Sequence, residues 1–322
     1  MSVNEVIGCL GEDWGRVTSI MKETLCSDVN LLNSTNENII SHSGKLLRPM
    51  VSLLTAKALG GINEDSLRLA AATEILHNAT LIHDDVADES RERRGMPTLM
   101  STLGPSSAVL VGDFWLAKAV ELVYGSRCWE SAGSYFTKTL SDLAEGEMLQ
   151  LEKSFSADTT EDDYFRIIYC KTASLFRASC LSAAISVNAP EKMKDAASEY
   201  GTALGTAFQI KDDILDYAGT EELGKPVGVD LKERKITLPL LGAMMNSPEE
   251  AHIRGIVRNI SDNPDSCAAV HDFVLRNGGI EYASGVLDRY IAKAVTALDS
   301  YADSPEKEAL KEIARFNAYR QV

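Results

Sequence analysis

Two copies of one acidic motif constrain this chain more than any other feature. They are His83-Asp84-Asp85-Val86-Ala87-Asp88 and Lys211-Asp212-Asp213-Ile214-Leu215-Asp216. Each closes an apolar run with helical spacing: Ala72, Ile75, Leu76, Ala79 and Ile82 before the first, Leu204, Ala207, Phe208 and Ile210 before the second. Residues i and i+4 share a helix face, which pairs Asp84 with Asp88 and Asp212 with Asp216. Three carboxylates packed this closely repel one another, so an apolar helix that carries them calls for a cation. Oxygen-only donors suit Mg2+, which keeps several waters and takes phosphate oxygens as further ligands. A solvated acidic face accounts for one such motif but poorly for two with the same spacing. An EF-hand fails on position: counted from Asp212, its third place is Ile214 and its twelfth is Leu223.

Helix formers are abundant and strict two-residue alternation is scarce, so the fold class read from the sequence is all-α. With 322 residues, 45% hydrophobic, and no domain-scale linker or repeat beyond the doubled motif, the chain reads as a single domain over 1–322. A net charge of -15 argues against nucleic acid as a partner. It leaves room for a phosphorylated substrate, because bound divalent ions reverse the sign of a site. Six cysteines with no C-x-x-C pair read as thiols in a reducing compartment. No signal peptide is legible at the start. The longest apolar stretch, 107–124, is interrupted by Asp113, Lys118 and Glu121, too polar for a membrane span. The expectation is a soluble, cytoplasmic protein.

Residues 2–26 read as one amphipathic helix and 27–44 as a loop or short helix. Gly44-Lys45-Leu46-Leu47-Arg48-Pro49 opens a helix that runs to Leu59, with Pro49 in its first turn. Asn63 suits the N-cap of a long helix through Asp88. Residues 90–97 form a basic loop. Helices follow over about 106–124, 129–151, 162–187 and from Pro190 to the second acidic motif; residues 220–235 are the least helical stretch. Shorter helices complete the chain.

Cations cluster beside the carboxylates in sequence. Arg91, Arg93 and Arg94 follow Asp88, Lys225 and Lys235 follow Asp216, and Lys45 and Arg48 stand where free helical N–H groups also favour anions. Arginine forks and lysine charges are what hold diphosphate oxygens. Beside Glu89 and Glu92, Arg91 alone reads as a surface partner; the set reads as function. Gly219-Thr-Glu-Glu-Leu-Gly224-Lys225-Pro226 imitates a phosphate loop, but Pro226 replaces its Ser/Thr and no strand precedes it.

Taken in order, these motifs resemble the trans-isoprenyl (polyprenyl) diphosphate synthases, over nearly the whole chain. The likeness rests on Gly44-Lys45-x-x-Arg48-Pro49, His77-x-x-Thr80-Leu81-x-His83-Asp84-Asp85-x-x-Asp88, Arg93-Arg94-Gly95, Gly112-Asp113, Lys171-Thr172, Phe208-Gln209-x-x-Asp212-Asp213-x-x-Asp216, Gly224-Lys225-Pro226 and Lys235-x-Thr237-Leu238-Pro239. The resemblance implies one large helical bundle around a deep cavity, usually homodimeric. It implies a prenyltransferase that condenses isopentenyl diphosphate with an allylic diphosphate such as farnesyl diphosphate. Mg2+, three ions with the allylic diphosphate bound, would be held by Asp84, Asp88 and Asp212, with Asp85, Asp213 and Asp216 in support; Asp216 by its spacing joins the metal set. Lys45, Arg48, His77 and Arg94 would hold isopentenyl diphosphate. Arg93, Lys171, Thr172, Gln209, Lys225 and Lys235 would grip the allylic diphosphate. Two departures stand out: Ser43 before Gly44, and Arg234 before Lys235, where the family often has glycine.

A terpene cyclase fits less well, because the second motif is Asp-rich and Lys45 and Arg48 supply an extra diphosphate site. A partner subunit of a heteromeric synthase would usually lose one acidic motif. The growing product would run from Asp84 back along its own helix, past Thr80, Ala79 and Leu76. In the family, bulky aromatics at this point mark short-chain enzymes; here Ala79 and Thr80 are small, which points to a medium-to-long product, octaprenyl by expectation. The motif has no insertion, itself a short-chain mark, so a farnesyl- or geranylgeranyl-length synthase is the alternative. Tyr135 or Phe136 would supply a deeper floor.

Overall fold

The computed structural model describes residues 3–42, 44–93, 95–218, 228–245, 247–260, 262–263 and 265–319. Arg94 and Lys225 lie outside these described residues. Nearly everything described is helical, as the sequence predicts. The chain forms two compact units, each assembled from separate stretches: Met1–Thr137, Ala178–Ala197 and Ser300–Leu310 in the first, Lys138–Arg177, Ser198–Asp299 and Lys311–Val322 in the second.

The first unit contains α1 (Val3–Leu10), α2 (Glu12–Thr24), α3 (Asn30–Ser41), α4 (Leu47–Leu59), α5 (Glu64–Ala87), a two-strand ribbon of β1 (Glu92–Arg93) and β2 (Met96–Pro97), α6 (Leu99–Leu103) and α7 (Pro105–Tyr124). Helix α5 is its centre. Leu67, Leu69, Ala70, Ala71, Ala72, Ile75, Leu76 and Ala79 are all buried, the pattern of a helix enclosed on every side. Helices α2, α4 and α7 pack around it. Asn63 caps it as predicted: its Oδ1 accepts from Ser66 N–H at 2.9 Å, and its Nδ2 donates to Ser186 O at 2.8 Å.

Next come α8 (Trp129–Ser156), α9 (Glu161–Ile168), a π turn (Tyr169–Ala173), α10 (Ser174–Ser186), α11 (Glu191–Ala218), α12 (Val229–Lys232), α13 (Leu238–Met244), α14 (Glu250–Arg258), α15 (Ser266–Arg276), α16 (Gly279–Ala297) and α17 (Pro305–Tyr319). In the second unit, Tyr164, Ile168, Ile210, Ile214, Tyr217, Leu231, Leu238 and Phe273 belong to one apolar core.

The structure sharpens or departs from the sequence reading at four places. Gly11 adopts φ +57° and divides the first predicted helix into α1 and α2, a conformation glycine reaches without steric cost. Of the loop or short helix read for 27–44, the structure takes the helix, α3. The basic loop folds into a ribbon, with Arg93 opposite Met96 and Gly95 at φ +75° in its turn. The helix expected over 162–187 starts at Glu161, and the π turn interrupts it. Among the described residues, no helix is long and apolar enough to cross a membrane.

Candidate active site

The first acidic motif occupies the last turn of α5, which carries no basic residue. Helix dipoles place partial negative charge at this end, so three aspartates here work against the helix. Asp88 N–H donates to Asp84 O at 2.8 Å, Glu89 N–H to Val86 O at 3.3 Å and Ser90 N–H to Asp85 O at 2.9 Å, the bonding of a Schellman end. Glu89 takes the left-handed position at φ +50°, where glycine is usual. That turn sends the chain back through the ribbon, and Arg93 Nε donates to Asp85 Oδ1 at 2.8 Å. Burial still lifts the Asp85 carboxyl above its ordinary value, against the pull of Arg93. Asp84 is half-buried and Asp88 exposed.

His83 turns toward α7, its Nε2 lying 3.3 Å from Asp113 Oδ1. A Cβ on Gly112 would stand 2.3 Å from that nitrogen, so Gly112 admits the ring and Asp113 pairs with it. Leu76 and Ala79, seven and four residues earlier, lie on the same stripe of α5 as His83. Thr80 lies on the stripe of Asp84, its hydroxyl donating to His77 O at 2.8 Å. Leu76, Ala79 and Phe136 are buried; His77, Thr80 and Tyr135 are half-buried. Arg48 is half-buried in the first turn of α4, just after Leu46 at φ +50°, and Lys45 is exposed.

The second motif ends α11, whose last turn also lacks a basic residue. Its middle carboxylate is enclosed. Tyr164 OH donates to Asp213 Oδ2 at 2.6 Å and Gln209 Nε2 donates to Asp213 Oδ1 at 2.9 Å. Thr172 Oγ1 donates in turn to Gln209 Oε1 at 2.7 Å. Burial raises the Asp213 carboxyl well above its usual range, against these donors, and the charges of Asp212 and Asp216 raise it further. Asp216 accepts N–H bonds from Val229 at 3.1 Å and Asp230 at 3.3 Å, and so ties α12 back to α11. Burial raises its carboxyl too.

Lys171 and Thr172 both sit in the π turn. Ser174 N–H reaches back to Tyr169 O, and the Ser174 hydroxyl donates to Cys170 O at 2.8 Å. Thus the carbonyl that the wider turn would orphan is satisfied. Lys171 Nζ pairs with Glu147 Oε1 at 2.7 Å. A Cβ on Gly146 would lie 2.7 Å from Cys170 Cβ and 3.0 Å from Lys171 Cγ, so only glycine lets α8 approach this turn. Lys235 pairs with Glu233.

The family model described as Polyprenyl synthetase matches residues 29–274. The chain belongs to the polyprenyl synthetase family. It is 36% identical to octaprenyl diphosphate synthase of Escherichia coli (strain K12), covering 99% of each chain. It is also 36% identical to an all-trans-nonaprenyl-diphosphate synthase (geranyl-diphosphate specific) of Rhodobacter capsulatus, over 97% of this chain and 96% of that one. Among solved structures, a polyprenyl synthase from Caulobacter crescentus CB15, complexed with calcium and isoprenyl diphosphate, matches with a TM-score of 0.91 at 34% identity, over 100% of this chain and 98% of that chain.

Arg234 takes a φ of +59°, a left-handed conformation that glycine reaches without steric cost. Sequence reasoning missed Tyr164 and gave no role to Gly146 or Glu147. Tyr164 is 49 residues from Asp213, and no local pattern announces such a bond. The pair Gly146-Glu147 stood in plain view, without a signal of what it packs on.

Proposed function

We propose that this trans-prenyltransferase condenses isopentenyl diphosphate with an allylic diphosphate, taking farnesyl diphosphate as primer and making a medium-to-long trans-polyprenyl diphosphate, octaprenyl in length. The observation that supports it best is the pair of long helices that each end in three aspartates with no base in the last turn. That arrangement opposes the helix dipole and gains from a divalent cation. Asp84, Asp88 and Asp212 are the ligands we assign to Mg2+. Asp216 spends one lone pair of each oxygen on α12 and keeps others for a cation. Bound Mg2+ supplies charge stabilisation to the departing diphosphate.

The chain's own residues do the rest. Lys171 and Lys235, with Lys225 and Arg93, hold the allylic diphosphate as negative charge develops on it. Lys45, Arg48, His77 and Arg94 hold isopentenyl diphosphate, whose double bond attacks the allylic cation. Released diphosphate takes the proton, and apolar residues keep water from the cation. The protein works in the cytoplasm as a homodimer. Exposed Leu110, Val120 and Tyr124 on α7 suit a second copy.

The test is incubation of the full chain with Mg2+, farnesyl diphosphate and labelled isopentenyl diphosphate, with the products separated by length. An octaprenyl-range product is expected; no product, or arrest at geranylgeranyl, overturns the reading. Ala79 lies roughly 7.5 Å along the helix axis from Asp84. Ala79→Tyr is expected to shorten the product to the farnesyl or geranylgeranyl range while the first condensations persist. An unchanged product distribution shows that the chain does not grow past this position.

A further inference from the structure

The bonds around Asp213 form one line that starts at its buried end and runs out to Thr172. Tyr164 is 2% exposed and Asp213 3% exposed. The Tyr164 hydroxyl donates to Asp213 Oδ2 at 2.6 Å. Asp213 accepts on both oxygens, Oδ2 from Tyr164 and Oδ1 from Gln209. Gln209 presents its amide nitrogen to Asp213 at 2.9 Å, which leaves its carbonyl facing Thr172. Thr172 must then give its single hydroxyl proton to Gln209, at 2.7 Å. Outside this line Thr172 offers only lone pairs, and Gln209 keeps one N–H. A threonine so held accepts from an ammonium or from cation-bound water and does not donate to a phosphate oxygen.

We infer that Tyr164 is a positioning residue, acting through Asp213 to fix the Gln209 amide and to hold the Thr172 hydroxyl as an acceptor beside Lys171. This rests on the proposed prenyl transfer and adds to it. Thr172 serves the allylic diphosphate through Lys171 or hydrated cation, not as a direct donor. The second acidic motif and the π turn therefore act as one preset body. Tyr164 itself touches no substrate.

The experiment compares wild type with Tyr164→Phe, Thr172→Val, Thr172→Ser and the double variant Tyr164→Phe/Thr172→Val. Both KM values, kcat and Tm are measured for each. Losing one partner of a buried hydrogen bond is worth about tenfold in an equilibrium. Tyr164→Phe is therefore expected to raise the allylic KM about tenfold, with the isopentenyl diphosphate KM within about twofold of wild type. Thr172→Val should do the same, Thr172→Ser should restore wild-type values, and the double variant should be no worse than the poorer single one. A merely structural tyrosine lowers Tm and leaves both KM values alone, which overturns the inference. So do equal rises in both KM values, or multiplicative effects in the double variant. Titration with inorganic diphosphate and Mg2+ by calorimetry separates the two levels. If wild type transfers no prenyl group, the proposed function falls. The inference is then judged on whether Tyr164→Phe and Thr172→Val each weaken diphosphate binding about tenfold, and non-additively.

Discussion

The two acidic motifs share a spacing and differ in almost everything around it. In the first, the middle carboxylate, Asp85, is met by a cation, Arg93, brought back by a tight ribbon. In the second, Asp213 is met by neutral donors, Tyr164 and Gln209, and Asp216 by backbone N–H groups of the returning α12. The difference arises after each helix ends, where one chain turns at once and the other returns later as a short helix. Carboxylate spacing is a property of the motif; the balance of charge is a property of the return path. Asp85 is part-neutralised by a guanidinium, whereas Asp213 is held by the dipoles of neutral donors.

The largest expected effect tests whether both motifs act on the leaving group. Asp84→Ala and Asp212→Ala should each cut turnover by several orders of magnitude, with the far-ultraviolet circular dichroism unchanged. A single preorganised group aimed at developing charge contributes roughly 3 kcal/mol or more. Near-normal turnover in either variant, at saturating Mg2+, would remove that motif from the chemistry.

A smaller effect separates the supports. Each motif has a glycine that clears space nearby, Gly112 for His83 and Gly146 for the Lys171 turn. A methyl at Gly112 meets the end of a ring whose side chain is 34% exposed, and the ring can swing aside. The loss is then an exposed pair worth under about 1 kcal/mol. A methyl at Gly146 meets the Cβ of buried Cys170, which cannot retreat. Gly146→Ala should cost about 1–3 kcal/mol in denaturant unfolding, as overpacking does, and should raise the allylic KM. Equal losses from the two substitutions would mean that the two supports are alike after all.

The smallest effect is in acid. Helix α9, which carries Tyr164, begins with a capping box in which Asp163 accepts from Thr160 N–H at 3.0 Å and pairs with Lys153 at 2.9 Å. Partial burial opposes its charge, but the Thr160 N–H and hydroxyl and Lys153 outweigh it and hold this carboxyl at about 2. A depressed value means stability that is complete above the unfolded carboxylate range near 4 and lost as pH falls toward 2. About 1–2 kcal/mol should disappear over that interval, and Asp163→Asn should lack this component of the acid transition. Hydrogen exchange should show α9 loosening in acid before α5 does.

Much of this was legible in the sequence because it is local. The Asn63 cap, the apolar run to Asp84 and the i, i+4 pairing of carboxylates all depend on neighbours within two turns. Tyr164 was not legible, since its partner is remote in sequence and its role follows from burial. The π turn was hidden for another reason: Tyr169–Ala173 has the composition of an ordinary helix, and the extra residue changes no periodicity long enough to detect. Only Ser174, whose hydroxyl replaces a lost backbone donor, marks the place, and a serine in a helix is too common to read.

That turn can also be viewed as an insertion event. A wider turn holds one residue more than the α-helix on either side requires, and each α-helical residue advances the azimuth by about 100°. One added codon therefore re-aims everything beyond it without altering a single side chain. The orientation of Lys171 and Thr172 is thus written in the length of the chain as well as in its chemistry, and a lineage could lose it by deleting Tyr169, Cys170 or Ala173 while keeping both residues intact.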